Sequence, residues 1–187
     1  MSTVFFEQLR ASCRARRIPL ISPESQGILQ NILEKYQPKR CLEIGAAVGY
    51  SSMFIAHLIQ KRGGTLTSFE VAYPSYLEAQ YYIHQQKLSN MVLYPFDSTK
   101  MASVEDVFPR QCDFVFIDAQ KNQYGTYLEK IQGYLSVENN ILLDDILKYQ
   151  TKLDSLYEFL EKNQINYQIL PSEEGDGMMW IQNMPNE

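Results

Sequence analysis

The sequence of 187 residues lacks the features that mark membrane, secreted and zinc-finger proteins. No apolar run approaches the roughly 20 residues needed to span a bilayer, and the first 17 residues contain no continuous apolar segment of the kind found in secretory signals. The three cysteines, Cys13, Cys41 and Cys112, are far apart and odd in number, so they fit neither a zinc spacing nor a disulfide framework. We therefore expect reduced thiols in a cytoplasmic protein with no membrane partner.

Positive charge is also in short supply, since 17 basic residues face 22 acidic ones and the net charge is -5. Such a balance argues against general coating of nucleic acid, which requires many cations to neutralise phosphates. The exception is the segment 1–17, where Arg10, Arg14, Arg16 and Arg17 are opposed only by Glu7. This basic, helical N-terminal segment is either a solvated helix face or an arm that contacts an anionic partner.

Repeats, low-complexity tracts and linkers are missing as well, so residues 1–187 are expected to form a single domain with a substantial core. Short apolar runs alternate with segments of helical periodicity, which predicts an α/β fold with a mainly parallel sheet covered on both faces. A Ser-Glu-Glu-Gly-Asp-Gly turn between the last two apolar runs predicts an antiparallel hairpin. The predicted strands are 41–44, 65–69, 91–94, 114–117, 141–143, 167–170 and 178–181, and the helix before the fifth strand is expected to run from Tyr124 to Leu135.

The most informative segment is Cys41-Leu-Glu-Ile-Gly-Ala-Ala-Val-Gly-Tyr-Ser51, a predicted strand that runs through a glycine-bearing turn into a helix. It differs from the G-x-G-x-x-G pattern of dinucleotide-binding proteins, because its two glycines lie four residues apart. Gly45 would allow a tight turn off the strand, and Gly49 would let the start of the helix approach a ligand closely. Amide groups at that helix start favour a carboxylate or a phosphate.

Acidic residues at the ends of neighbouring strands complete the predicted ligand site, because ligands of open α/β sheets bind at the carboxyl ends of the strands. Glu43 lies near the end of the first strand, where it could accept a hydrogen bond from an ammonium group, and Glu70 follows the second strand, where it suits a ribose diol. Asp97 and Ser98 follow the third strand and are placed to contact an adenine. Ammonium, carboxylate, diol and adenine together describe S-adenosylmethionine better than NAD, although a packing role for the glycines stays open.

A second polar cluster follows the fourth and fifth predicted strands. Asp118 ends the fourth strand and Asp144 and Asp145 end the fifth, so repulsion between their carboxylates would favour a bound cation. Oxygen ligands favour Mg²⁺, Mn²⁺ or Ca²⁺ over zinc. Lys121 lies on the same edge, and beside a cation its pKa should fall, so that it could accept the proton of a substrate hydroxyl. The alternative is that the aspartates cap helices and Lys121 is solvated.

Three motifs resemble the metal-dependent O-methyltransferases, the family that includes the catechol and caffeoyl-CoA enzymes. They are Leu42-Glu-Ile-Gly…Gly49-Tyr-Ser51, Phe116-Ile-Asp-Ala-Gln-Lys121 and Asp144-Asp145-Ile-Leu, and the resemblance covers residues 18–181. It implies a Rossmann-like class I methyltransferase fold with seven strands, S-adenosylmethionine as donor, a divalent metal such as Mg²⁺ and Lys121 as catalytic base. The residues assigned to the donor are Glu43, Gly45, Gly49, Ser51, Glu70, Asp97, Ser98 and Asp118, and those assigned to the metal are Asp118, Asp144 and Asp145.

Two departures from the family pattern bear on the metal and the substrate. Asp145 stands where the family usually has asparagine, which adds a negative charge to the site. A shift of one residue, with Asp145 as the family's aspartate and Ile146 as its neighbour, fits the flanking residues less well. The segment from Tyr149 to Leu153 is shorter than its counterpart in the family, which would leave the substrate pocket open on one side. An open pocket suits a large substrate, or marks a protein that has lost activity.

Three functions remain open at this point. The first is methyl transfer to a hydroxyl, either of the wobble 5-hydroxyuridine of tRNA, as in the bacterial tRNA-modifying branch that the flanking sequences resemble, or of a small catechol-like phenol. The second is a trimmed, non-catalytic methyltransferase fold, and the third is a nicotinamide-dependent enzyme. The N-terminal arginines favour tRNA, whereas the acidic total favours a small molecule, and the resemblance makes tRNA the first expectation and the phenol its alternative. A homodimer is expected from the family alone.

Overall fold

The chain forms a seven-stranded sheet between two layers of helices, as seen in a computed structural model that describes residues 3–97, 107, 109–172 and 175–185. The helices are α1 (Thr3–Ala15), α2 (Pro23–Tyr36), α3 (Tyr50–Gln60), α4 (Tyr73–Gln85), α5 (Tyr124–Ile131) and α6 (Asp154–Lys162). The strands are β1 (Arg40–Ile44), β2 (Thr65–Phe69), β3 (Met91–Tyr94), β4 (Cys112–Ile117), β5 (Leu135–Leu143), β6 (Tyr167–Leu170) and β7 (Met178–Gln182).

The strand order across the sheet is β3-β2-β1-β4-β5-β7-β6. The first five strands pair in parallel, and β7 runs antiparallel to both β5 and β6. The predicted fold, a mostly parallel sheet of seven strands with a C-terminal antiparallel hairpin, is therefore confirmed. Chain order reverses beside β1, whose neighbours are β2 and β4, and such a switch point opens a crevice at the carboxyl ends of the strands. No helix among the described residues has the length and apolar character that crossing a bilayer requires.

Alternate side chains of the central strands pack into two apolar layers. On β1, Cys41 joins the layer formed with α1 to α4, whereas Leu42 and Ile44 join the layer formed with α5 and α6. On β4, Phe114 and Phe116 belong to the first layer. Because both faces are covered, neither face of these strands is directed to solvent, and most of their residues are apolar. The loops at the strand ends are thereby carried on a fully packed sheet.

One helix ends earlier than its sequence predicts. The helix α5 stops at Ile131, and after a 3-10 turn over Gln132–Tyr134 the chain enters β5 at Leu135, which was predicted as the last apolar residue of the helix. The prediction was wrong because Leu135 continues the helical spacing but is buried by its pairing with Cys112 of β4. Apolar periodicity alone does not distinguish a residue that is buried on a helix face from one that is buried by strand pairing.

Two arginines of the basic N-terminal segment form contacts within the fold. Arg16 forms a two-pronged ion pair with Glu78 of α4, with nitrogen–oxygen distances of 2.7 and 3.0 Å. Arg10 points inward and is half-buried, whereas Arg14 and Arg17 are exposed. Only half of the four arginines are therefore available to an anionic partner.

Candidate active site

Backbone hydrogen bonds align the residues that follow the strands into a single polar edge. Each of these residues donates its amide to the last residue of the neighbouring strand, at 3.0 Å in every case. The pairs are Asp144 to Ile117, Asp118 to Ile44, Gly45 to Phe69 and Glu70 to Tyr94. The predicted acidic residues and the first glycine thus stand in a row because the parallel ladder continues past the strand ends.

Two cavities adjoin along this edge. The larger cavity, about 960 Å³, lies between residues 19–22, which precede α2, and residues 144–155, which follow β5. The smaller cavity, about 270 Å³, lies beside Glu70, Phe96 and Asp97. Both cavities share a stretch of wall, which consists of Gly45, Ala47, Asp118, Ala119 and Gln120.

The two glycines of the loop after β1 have different roles. Gly45 has a φ of +96°, and a Cβ there would lie 2.1 Å from the backbone oxygen of Asp118, so no other residue fits. Gly49 also has a positive φ, but a Cβ there would meet the Cβ of Ala79 in α4 at 3.0 Å, and Gly49 does not line either cavity. This glycine therefore allows α3 to pack on α4, and its predicted role in bringing the helix to a ligand stays a prediction.

Glu43 lies behind the cavity walls and not at their surface. Its side chain is fully buried and accepts hydrogen bonds from the hydroxyls of Ser51 at 2.6 Å, Ser68 at 2.7 Å and Ser52. Burial raises the pKa of Glu43 to about 7, although the three serine hydrogen bonds act in the opposite direction. The predicted contact of Glu43 with an ammonium ligand is not what this geometry offers. Glu43 instead orients Ser51, which lines the larger cavity.

Glu70 and Asp97 lie where the sequence predicts, on the wall of the smaller cavity. The Glu70 carboxylate accepts hydrogen bonds from the amides of Ala47 and Ala72, both at 2.7 Å, and so fixes the loop after β1 to the loop after β2. Ala47 has a φ of 46°, a conformation that costs energy for alanine and that this contact helps to hold. Ser98 lies outside the described residues, and its predicted role stays a prediction.

Lys121 is the cation at the centre of the acidic edge. Its ammonium lies 2.7 Å from Asp118 Oδ1, 3.2 Å from Asp145 Oδ2 and 2.8 Å from the hydroxyl of Tyr124. Burial alone would lower the pKa of Lys121, but Asp118, Tyr124 and Asp145 outweigh it and the pKa is raised. The fall in pKa that was predicted for this lysine is thus opposed by its own carboxylate neighbours, and Lys121 carries a proton in this arrangement.

Asp144 shows that the acidic edge holds more negative charge than Lys121 neutralises. Its carboxylate is buried and accepts hydrogen bonds from the Ser25 hydroxyl at 3.2 Å and the Asp145 amide at 2.9 Å. Burial, followed by repulsion from Asp118 and Asp145, raises the pKa of Asp144 to about 7. Carboxylate oxygens with surplus negative charge are chemically suited to a hard divalent cation.

The acidic edge has ligand types that suit a divalent metal, but its described side chains are not arranged as a complete ligand set. Within the described parts of the chain, no three acidic, histidine or cysteine side chains converge as a ligand set, because the Lys121 ammonium lies between Asp118 and Asp145. The helix-capping alternative fares no better, since neither Asp118 nor Asp144 is the N-cap of a described helix. Asp145 has a φ of 63°, a conformation that asparagine and aspartate adopt more readily than other non-glycine residues.

Sequence reasoning missed several residues that shape the site. Tyr124 was assigned only to an apolar helix face, yet its hydroxyl contacts Lys121 and lies 3.1 Å from the backbone oxygen of Asp144. The Tyr149 ring is surrounded by the ammonium groups of Lys121, Lys148 and Lys152, at 5.8, 5.6 and 5.3 Å from the ring centre. Tyr50 also lines the larger cavity, and it alone could have been found from the sequence, because it directly follows the second glycine.

Comparison with known proteins agrees with this geometry. The model of the O-methyltransferase family matches residues 3–168. The chain belongs to the O-methyltransferase family. Among curated members, the catechol O-methyltransferase of Niastella koreensis is 27% identical in an alignment 136 residues long, which covers 66% of this chain and 59% of that protein. The match thus spans less than two thirds of the relative's length.

Solved O-methyltransferases share the fold along nearly their full length. The enzyme from Bacillus cereus, in complex with SAH, has a TM-score of 0.81 and 19% identity, and the match covers 97% of this chain and 92% of that one. TomG from Streptomyces achromogenes, an O-methyltransferase involved in tomaymycin synthesis and solved with SAM, has a TM-score of 0.83 and 16% identity, over 98% and 91% of the two chains. Membership of the O-methyltransferase family is thus confirmed, whereas the predicted metal dependence stays a prediction, and the nicotinamide-dependent alternative is set aside.

Proposed function

We propose that the protein transfers a methyl group from S-adenosylmethionine to the hydroxyl group of a small catechol-like substrate. The observation that carries this proposal is the pair of cavities joined at a common wall, with carboxylates for a nucleoside on one side and Lys121 on the other. Methyl transfer requires a donor and an acceptor to be held in line, and two adjoining cavities supply that proximity. The related structures solved with SAH and SAM support the choice of donor.

The donor is assigned to the smaller cavity and the shared wall. The carboxylates of Glu70 and Asp97 line the smaller cavity together with the ring of Phe96, which suits a ribose diol and an adenine. The start of α3, with Tyr50 and Ser51, lies on the larger cavity and suits the amino-acid end of the donor. The wall of the larger cavity includes five aspartates and three lysines, so its net negative charge also favours a sulfonium cation.

Lys121 is assigned to proton transfer from the acceptor hydroxyl. It lines the larger cavity and sits beside the shared wall, within reach of a group held there. As a base it must first lose its own proton, and Asp118 and Asp145 oppose that loss. The base role therefore requires that these carboxylates be neutralised by something other than Lys121. The Tyr124 hydroxyl accepts a hydrogen bond from the Lys121 ammonium and keeps that side chain directed at the edge.

A divalent cation, with Mg²⁺ as first candidate, is part of the proposal. Asp118, Asp144 and Asp145 would hold it, and when bound it would lower the pKa of an acceptor hydroxyl. Burial is the main reason that the pKa of Asp144 is raised, and the added repulsion from Asp118 and Asp145 supports this assignment. Isothermal titration of Mg²⁺ into the protein tests it independently of turnover. Binding in the wild type that is lost in Asp144→Asn supports the site, and equal heats in both proteins argue against it.

A tRNA hydroxyuridine is the second candidate acceptor. The three lysines around Tyr149 favour it, because Lys148 and Lys152 are exposed and could contact phosphates. Two observations favour the smaller acceptor instead. Lys148 is already paired with Asp176 at 3.2 Å, and Arg16 of the N-terminal segment is paired with Glu78.

A labelled-methyl assay distinguishes these acceptors. Purified protein is incubated with methyl-labelled S-adenosylmethionine and either a catechol or tRNA that carries unmethylated hydroxyuridine, with Mg²⁺ or with EDTA. Label on the catechol supports the first acceptor, and label on the tRNA alone supports the second. Donor binding without label on either acceptor would favour the trimmed, non-catalytic alternative. Light scattering on the same sample tests the predicted homodimer.

A further inference from the structure

Arg10 of α1 connects three parts of the fold through one guanidinium. Its Nη1 donates to the backbone oxygen of Ile21 at 2.8 Å, and its Nη2 donates to Gln26 Oε1 at 2.7 Å. Nη2 and Nε both donate to the hydroxyl of Tyr50, at 3.0 and 3.2 Å. The Tyr50 hydroxyl in turn donates to Gln26 Oε1 at 2.8 Å, which closes the network.

The partners of Arg10 belong to the wall of the larger cavity. Ile21 and Tyr50 both line it, one from the segment before α2 and the other from the first turn of α3. Tyr50 is almost completely buried, and the guanidinium also stacks 4.6 Å from the centre of its ring. The tyrosine is therefore fixed at both its face and its hydroxyl.

The same network reaches the acidic edge through α2. Ser22 caps this helix by accepting the amide of Ser25, and the Ser25 hydroxyl donates to Asp144 Oδ1 at 3.2 Å. Arg10 holds the residues on both sides of this cap, Ile21 and Gln26. A single side chain thus fixes the spacing between the start of α3 and the start of α2.

We propose that Arg10 is a positioning residue that holds Tyr50 and the segment 19–22 around the amino-acid end of the methyl donor. This inference rests on the proposed function, because it presumes that the donor extends from the smaller cavity past the start of α3. Arg10 itself touches neither cavity and acts through Tyr50 and Ile21. Lysine is not a substitute, since a single ammonium lacks the planar set of donors that bridges the three partners.

Arg16 provides a matched control on the same helix. Its ion pair with Glu78 also anchors α1, but to α4 and away from both cavities. Arg16→Met should weaken the docking of α1 without loosening Tyr50. Arg10→Met and Arg10→Lys should loosen Tyr50 as well.

The test compares two ligands by calorimetry. S-adenosylhomocysteine carries the amino-acid end, whereas 5′-methylthioadenosine has the same nucleoside without it. We expect Arg10→Met and Arg10→Lys to raise the Kd of S-adenosylhomocysteine about tenfold, as loss of a charge-assisted hydrogen-bond network implies, and to change that of 5′-methylthioadenosine less than about twofold. Arg16→Met should leave both Kd values within about twofold of wild type.

Several outcomes separate this inference from its alternatives. A parallel loss of affinity for both ligands, or the same loss in Arg16→Met, would mean that α1 only stabilises the fold, and unchanged affinity in Arg10→Lys would also overturn the proposal. If Arg10→Met does not fold, Tyr50→Phe in the Arg10→Lys background replaces it. The double variant should then bind no more weakly than the single ones, because both remove one network. Absence of S-adenosylhomocysteine binding by the wild type would instead refute the proposed function.

Discussion

Replacement of Glu43 by glutamine should change how the stability of the protein depends on pH. Glu43 is fully buried beneath the cavity wall, and its carboxylate accepts three serine hydroxyls but has no cationic partner among the contacts described. Burial raises its pKa from the ordinary 4.5 to about 7. Folding therefore favours the protonated form of this side chain, and glutamine is its uncharged equivalent.

The sign and size of the effect follow from proton linkage. Between pH 4.5 and 7 the folded protein holds a proton on Glu43 that the unfolded chain has released, so the free energy of unfolding falls as the pH rises. At about 1.4 kcal/mol for each pH unit, the full contribution is about 3 kcal/mol. Between pH 5.5 and pH 8.5, a range that lies above the pI of 5.1, the Glu43 contribution to the free energy of unfolding should fall by about 2 kcal/mol.

Urea unfolding of wild type and Glu43→Gln at these two pH values measures the effect. Because Asp144 titrates in the same range, the wild-type curve alone does not isolate Glu43. The informative quantity is the difference between the two proteins, which should shift in favour of Glu43→Gln by about 2 kcal/mol between pH 5.5 and 8.5. Glu34→Gln, at an exposed position of α2, is the matched control and should show no such shift.

A flat difference between wild type and Glu43→Gln would refute the reasoning. It would mean that the serine hydroxyls stabilise the carboxylate enough to offset its burial, so that Glu43 is ionised in the folded protein at pH 5.5. A difference of the opposite sign would mean that ionised Glu43 contributes stability, as a carboxylate with a cationic partner does. Either result would also change the view that Glu43 orients Ser51, whose hydroxyl donates a hydrogen bond to the Glu43 carboxylate.

Three further substitutions test the site. Lys121→Met should lower kcat at least about a hundredfold, the contribution expected of a general base, and leave the Kd of S-adenosylhomocysteine within about twofold; unchanged kcat would exclude the base role. Tyr124→Phe should cost about 1–2 kcal/mol in urea unfolding and lower kcat, because a buried hydroxyl that holds Lys121 is lost; full activity would show that Lys121 needs no such support. Gly45→Ala should lower the free energy of unfolding by about 3 kcal/mol and abolish donor binding, since its Cβ would lie 2.1 Å from the Asp118 backbone oxygen. The control Gly63→Ala has a positive φ but open space around it, so it should lower the free energy of unfolding by about 1 kcal/mol and bind the donor normally. Equal behaviour of the two variants would show that the close approach at Gly45 is unimportant.

The sheet and its polar edge were predictable because they depend on local patterns. Each parallel strand is a short apolar run buried on both faces, and the acidic residues follow directly in sequence, so Asp118 and Asp144 could be placed at neighbouring strand ends. Leu135 was misplaced because a strand residue happened to continue a helical spacing. Burial by strand pairing depends on a partner far along the chain, and no local pattern reports it.

The roles within the site were harder to predict for the same reason. Glu43 was assigned to a ligand, but its environment is set by Ser51, Ser52 and Ser68, of which the last comes from another strand. Arg10 was grouped with arginines that were expected either to be solvated or to contact an anionic partner, although its partners include Tyr50, forty residues away. Sequence position identifies which residues reach the strand ends, whereas burial and partners decide whether each one faces a ligand or supports a neighbour.

The raised pKa values of three carboxyl groups near the strand ends have burial as their common main cause. The carboxylates of Glu43, Asp144 and Asp145 are withdrawn from water by the same packed sheet ends, and the pKa of each is raised. Lys121, among the same groups, has a raised pKa because it is the cation that they attract. A site built in this way is short of positive charge before any ligand binds. The two ligands that we propose for it, a sulfonium donor and a divalent metal, both carry positive charge, so the carboxylates of the edge would favour their binding.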